Sequence, residues 1–228
     1  MKAMRIATAL SIVTLLMGCA RRPAPAPGQG IAAVAYRDAV PTWQRLGTRA
    51  FAKHELAGSY DSLTYLQSDD LGPAAPMMLR AALEQALSNN REVDLFVFVN
   101  GGSVALDVAR ELPPQLTSKL RLVYNTGGGG HWQAPAWQEL GVQAYLSHPG
   151  SANLAPFFVF DFLRAWSDGQ PLSSAVASSN QSMHERLTGF TAPWILSASG
   201  FNARAEDLPF WEEATHARVV GDDSIVLR

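Results

Sequence analysis

The chain has 228 residues, 47% of them hydrophobic and 17% charged, with a formal net charge of -2. So much apolar residue with so little charge excludes an intrinsically disordered chain, and the lack of a basic balance argues against nucleic acid as a partner. A single cysteine excludes a disulfide within the chain.

At the amino end, Lys2 and Arg5 precede an apolar stretch from Ile6 to Met17. That stretch is too short to span a bilayer but suits the hydrophobic region of a signal peptide. It ends in Leu15-Leu16-Met17-Gly18-Cys19, which resembles the lipobox of bacterial lipoprotein precursors. The resemblance implies that residues 1–18 are removed and that Cys19 carries acyl chains holding the protein to a membrane. The expected address is therefore the cell envelope. Ala20 after the cysteine implies the outer membrane, facing the periplasm. The alternative is an ordinary secretory signal with an incidental cysteine. Once Cys19 is lipidated, the mature chain has no thiol nucleophile and no thiolate metal ligand. Residues 19–30, with Pro23-Ala24-Pro25-Ala26-Pro27-Gly28, read as a stiff tether, and residues 31–228 as a single domain.

Residues 31–60 give a weak signal, a strand at Ile31 to Tyr36 and a helix around Trp43 to Glu55. From Asp61 onward, short apolar strands alternate with helical stretches, the pattern of an α/β domain with a mostly parallel sheet. Asp61 to Leu66 is the first of these strands. A helix carrying Leu79, Leu83, Ala86 and Leu87 on one face follows and ends at Asn89-Asn90. Val93 to Val99 is an apolar run interrupted only at Asp94, hence a strand covered on both faces. Asn100-Gly101-Gly102 leads into a helix from Ser103 that Pro113-Pro114 stops. Leu120 to Tyr124 and Val142 to Leu146 are the next strands, ending in Asn125-Thr126-Gly127-Gly128-Gly129-Gly130 and Ser147-His148-Pro149-Gly150. Two long helices, Leu154 to Trp166 and Leu172 to Leu187, precede Trp194 to Leu196 and a C-terminal β-hairpin over Ala217 to Leu227. The expected architecture is a three-layer α/β sandwich.

Ligands in such sheets bind at the carboxyl ends of the strands. The residues gathered there are Asn100, Gly101, Asn125, Gly127, Gly128, His131, Trp132 and His148, and they form the candidate ligand site. Single glycines in such turns also serve positive φ and close helix approach. Four in a row exceed that need and predict a flexible loop or a backbone-lined pocket. His131 and His148 converge on one rim or are partly exposed loop histidines. Trp132 beside the glycines is the aromatic residue to suspect of ligand contact, whereas Trp137, Trp166 and Trp194 fall within apolar stretches and read as core.

The order of motifs resembles the caspase-like peptidases in their bacterial, gingipain and CHAT-type forms. Those end one strand in a catalytic His-Gly where this chain has Asn100-Gly101, and a later strand near a nucleophilic Cys where it has Gly127. Gly169-Gln170-Pro171-Leu172-Ser173-Ser174-Ala175 and Gly221-Asp222-Asp223-Ser224-Ile225 resemble further segments of the family. With both catalytic positions vacant, the resemblance implies a fold that binds a peptide, protein or small ligand without cysteine chemistry. Neither cofactor nor metal is implied.

A serine hydrolase is the enzymatic alternative. Gly101-Gly102-Ser103-Val104-Ala105 after a buried strand has the setting of a nucleophile elbow, with Ser103 as nucleophile and Asp161 or Asp207 and His184 or His216 as partners. Ser103 as a helix N-cap is the competing reading, and Asp161 pairing with Arg164 one turn on is the competing reading for that aspartate. An envelope protein with no ligand site is the third.

Overall fold

A computed structural model describes residues 30–38, 40, 42–99, 101–151, 154–189 and 207–227. The signal segment, Cys19, Asn100 and Trp194 to Leu196 lie outside the described residues.

The frame is a six-stranded sheet: β1 (Ile31–Arg37), β2 (Ser62–Gln67), β3 (Glu92–Phe98), β4 (Leu120–Asn125), β5 (Ala144–Ser147) and β6 (Arg218–Gly221). Its order is β2-β1-β3-β4-β5-β6, with β1 to β5 parallel and β6 antiparallel to β5. The weakly signalled strand is thus β1, buried along its whole length between β2 and β3. Its small residues in Ile-Ala-Ala-Val-Ala-Tyr hide the strand signal, because alanine has little β preference of its own. The C-terminal antiparallel pair is β5 with β6, and beyond Gly221 the chain runs on to a bridge between Val226 and Pro171.

Helices cover both faces. On one face lie α1 (Thr42–Gly47), a π-helical turn at Thr48–Ala52, and α2 (Lys53–Ser59). The other face begins with α3 (Ser68–Leu71) and α4 (Ala75–Asn89), which buries Leu79, Leu83, Ala86 and Leu87 as its periodicity predicts. The Asn90 side chain donates to the Ala86 carbonyl and stops α4. Next come α5 (Val104–Arg110), α6 (Pro114–Thr117) and α7 (Ala134–Glu139), with Trp137 in the core beneath them. The chain then returns to the first face with α8 (Ala155–Ser167), α9 (Leu172–Thr188) and α10 (Leu208–Thr215). Along α8, Phe158, Phe162 and Trp166 recur every fourth residue and stack at 5.9 and 6.2 Å between ring centres. Among the described residues no helix is long and apolar enough to cross a membrane.

Asp161 on α8 pairs with Arg186 on α9 at 2.8 Å rather than with Arg164. Burial raises the Asp161 pKa, and the Arg186 charge works against that. Arg164 instead lies over the Phe51 ring, 5.3 Å from its centre. The ion pair spans twenty-five residues because α8 and α9 pack side by side, while the Arg164 charge one turn on also acts on Asp161.

Charged groups also sit inside the domain. Asp94 on β3 receives Nε and Nη2 of Arg121 at 2.9 and 2.5 Å and the Tyr60 hydroxyl at 2.6 Å. Trp166 Nε1 donates onward to the Tyr60 oxygen, and Arg121 Nη1 holds the Val226 carbonyl. The β3–β4 register slips here, with Val93 opposite Leu120 but Asp94 opposite Leu122, so Arg121 is the extra residue of a bulge. Bulges re-aim a side chain, and this one aims the guanidinium at the carboxylate. Burial opposes the charge on Arg121, but the bonds to Asp94 prevail and raise its pKa. Arg121→Met is expected to lower unfolding free energy by about 3–5 kcal/mol, since it strands a buried carboxylate. Tyr60→Phe should remove only about 1–2 kcal/mol, both read from urea denaturation.

Candidate functional site

Parallel strands bring the ends of β3, β4 and β5 to one edge. Thr126 staples the first two. Its backbone N–H donates to the Val97 carbonyl at 3.0 Å, and its hydroxyl oxygen accepts the Val99 N–H at 3.1 Å. Asn125 is the hub of the edge and is buried. Its Oδ1 accepts the Gly127 N–H at 2.8 Å, and its Nδ2 lies 3.2 Å from the Tyr145 hydroxyl and 3.3 Å from Gln133 Oε1. Tyr145 donates to the Gly130 carbonyl at 2.6 Å, and Gln133 reaches across to the Gly102 carbonyl at 2.9 Å. Gln133 and Tyr145 were not legible as site residues, because a glutamine in a loop and a tyrosine in a strand carry no spacing signal.

Packing explains the glycine run. A Cβ on Gly128 would lie 1.9 Å from the Ser151 carbonyl oxygen, and one on Gly127 would lie 2.8 Å from a Val99 methyl and 3.0 Å from Asn125 Oδ1. On Gly130 it would press on the Asn125 carboxamide at 3.2 Å, and Gly129 has φ +69°. The loop is therefore packed closely against its neighbours at Gly127, Gly128 and Gly130. It is pinned, with Gly129 N–H on the Gly150 carbonyl and Gly130 N–H on the Gly127 carbonyl. Gly101 and Gly102 across the edge are exposed, and Gly102 has φ +99°, which meets the turn requirement.

The two histidines do not converge. Ser147 and His148 are neighbours on a pleated strand, so their side chains leave opposite faces of the sheet. His131 sits on the Ser147 side, its Nδ1 3.4 Å from the serine hydroxyl. Partial burial and the nearby Arg218 charge lower its pKa. His148 is fully buried on the other side, against Tyr124 and Phe158. Its Nδ1–H donates to the Thr215 carbonyl at 2.5 Å, leaving Nε2 to accept the Tyr124 hydroxyl at 3.1 Å. The expectation of His148 as a rim ligand or an exposed loop residue is corrected. It is a core residue tying β5 to α10.

Trp132 is 81% exposed. It stands on the one-turn helix Gly130–Gln133 that the pinned loop launches, its N–H on the Gly129 carbonyl.

Ser103 precedes α5, and its hydroxyl donates to Asp107 at 2.6 Å. Among the described residues no histidine lies within hydrogen-bond reach of it. His184 pairs with Glu212 at 2.7 Å and His216 with Asn180 at 3.3 Å, so neither completes a triad with Ser103. Nor do the described residues contain a cluster able to hold a metal ion.

The chain reverses its direction of winding between β1 and β3, the place where open α/β sheets form a crevice. Arg37 ends β1 there. Its Nη2 holds Asp69 at 2.9 Å, while Nε and Nη1 are buried with no hydrogen-bond partner among the described residues. Asp38 beside it pairs with Ser68, and burial with the Asp38 charge pushes the Tyr36 phenol up to about 12. An arginine closing an apolar run was the available signal, masked by the weak reading of residues 31–60.

Comparison of the chain with protein-family models and with curated proteins finds no match in either.

Gly128→Ala is expected to destabilise the domain by more than about 2 kcal/mol, since the backbone contact cannot yield. Gly129→Ala, with only its dihedral at issue, should lose roughly 1–2 kcal/mol. Urea midpoints rank the two, and equal values would reject the packing account.

His148 gives the pH dependence. Burial lowers its pKa to about 4 from 6.5. The unfolded chain therefore binds the proton more readily, and stability contributed by the neutral ring is full above pH 6.5 and lost as the pH falls toward 4. The loss is about 3 kcal/mol. His148→Gln, which does not titrate, should flatten that part of the stability-versus-pH curve.

Proposed function

We propose that this chain is a membrane-anchored periplasmic lipoprotein, held through lipid on Cys19. On this reading its domain is a catalytically degenerate caspase-like α/β sandwich that docks a peptide or protein partner at the rim around Trp132. The observation that carries the reading is an indole 81% exposed on a loop whose glycines are locked by packing. Exposed aromatics on rigid supports give large contact area with little ordering entropy, the property that concentrates binding energy at interfaces.

Loss of catalysis is supported by more than a missing thiol. At Gly127, where the resemblance places the nucleophile, the space for a Cβ is taken by Val99 and Asn125. At Ser103, the hydroxyl is engaged by Asp107. A serine triad needs a histidine within hydrogen-bond reach of the hydroxyl, and Ser103 has none among the described residues, its partner being the Asp107 carboxylate.

A photo-crosslinking residue placed at 132 in intact cells tests the reading. The expected outcome is a discrete adduct that is absent when the same residue replaces Met77, which is 65% exposed on α4. In the same cells Cys19→Ser should move the chain from the membrane to the soluble fraction. Equal adducts at both positions would reject the rim as the contact, and unchanged membrane retention would reject the lipid anchor. Labelling by a fluorophosphonate that Ser103→Ala removes would replace the proposal with a serine hydrolase.

A further inference from the structure

The sheet ends at β6, and an edge strand presents unpaired N–H and C=O groups on which another strand can assemble. Here the edge has an occupant. The Asn180 side chain on α9 accepts the Ala217 N–H on Oδ1 at 2.9 Å and donates from Nδ2 to the Ala217 carbonyl at 3.0 Å. Both hydrogen-bonding groups of one residue are thereby paired with a single carboxamide, as a neighbouring strand would pair them. Asn180 Nδ2 also lies 3.3 Å from His216 Nε2, which fixes the orientation of the amide.

Strand parity shows which way these groups point. Asp222 donates its N–H to the Gln143 carbonyl beside β5 at 2.8 Å. Residues 218, 220 and 222 therefore turn their backbone groups toward β5, and 217, 219 and 221 turn theirs outward. Ala217 is the first outward position and Asn180 fills it. The far end is closed differently, since Ser173 and Leu172 at the start of α9 donate to the carbonyls of Asp223 and Ile225 and hold the last residues across the edge. Val219, the outward position between, lies in an open groove with Val176, Ala177 and His184.

We propose that Asn180 is an edge plug, a side-chain stand-in for a seventh strand that keeps β6 from pairing with β6 of a second copy. Two like edges meet in a self-complementary two-fold contact, so the partner excluded is this chain itself. Asparagine suits the role because its carboxamide has the donor and acceptor of a peptide group, whereas leucine of similar size has neither.

Sedimentation equilibrium of the full chain in density-matched detergent tests the plug. Asn180→Leu is expected to raise the protein mass with concentration toward twice that of the monomer, while wild type stays lower at the same concentrations. Adding Val219→Pro, which removes an outward N–H without touching the β5 ladder, should return the mass to the wild-type value. Asn180→Asp, which keeps the bond from the Ala217 N–H but opposes its carbonyl, should lie between. A folded Asn180→Leu chain with wild-type mass would overturn the proposal, as would association that persists with Val219→Pro. Loss of folding in both Asn180 variants would instead assign the residue to fold maintenance, and overturn it too.

Discussion

A carboxylate on the second residue of the core-facing run of β3 constrains much of the domain. An ionised group with no solvent is tolerated only if paired and hydrogen-bonded. Asp94 meets that demand by drawing on four separate segments. The bulge in β4 supplies Arg121, the end of α2 leads to Tyr60, α8 brings Trp166 over the guanidinium at 5.4 Å, and the C-terminal stretch gives the Val226 carbonyl. Apolar layers alone would let helices slide on the sheet. This network fixes β3, β4, α8 and the tail in a single arrangement, in the sense that each partner is missed if any segment shifts by a residue.

The carboxyl edge obeys the same rule by other means. Groups that a ligand pocket would leave free are instead spent on one another: Asn125 on Gly127 and Tyr145, Thr126 on β3, Tyr145 on Gly130, His148 on Thr215. Among the described residues, Trp132 and the partly covered His131 stand outside this set, as do two nitrogens of Arg37 at the end of β1. As proposed, the paired ends of β4 and β5 beneath a solvent-facing indole suit recognition of a surface.

Much of this organisation is legible in the sequence where a local pattern suffices. Apolar runs interrupted at Asp94 and Arg121 mark β3 and β4, helical spacing marks the buried side of α4, and prolines stand at helix starts. The order of the sheet is not legible, because the place of β1 between β2 and β3 depends on pairings across thirty or more residues. The same limit hides the Asp161 partner, which lies on the next helix rather than one turn along. At the edge, Asn125 and the glycines stand out by composition, yet the reason for Gly128 is the carbonyl of Ser151, an atom no spacing rule points to. His148 fails for a subtler reason. Its position at a strand end is correct, but whether the end residue faces core or rim depends on strand parity, and an error of one residue exchanges the two faces.

The chain enters the domain at the amino end of β1. Gly30 donates to the Asp61 carboxylate at 2.7 Å and its carbonyl accepts the Arg91 N–H, fastening the entry to the starts of β2 and β3. For a chain tethered at Cys19, as proposed, tension from the membrane would be delivered along β1. That strand is flanked by parallel ladders on both sides, so the load falls on two rows of hydrogen bonds in shear rather than opening them one at a time. On that proposal the attachment lies where the sheet resists pulling best, while Trp132 stands at the opposite edge of the sheet.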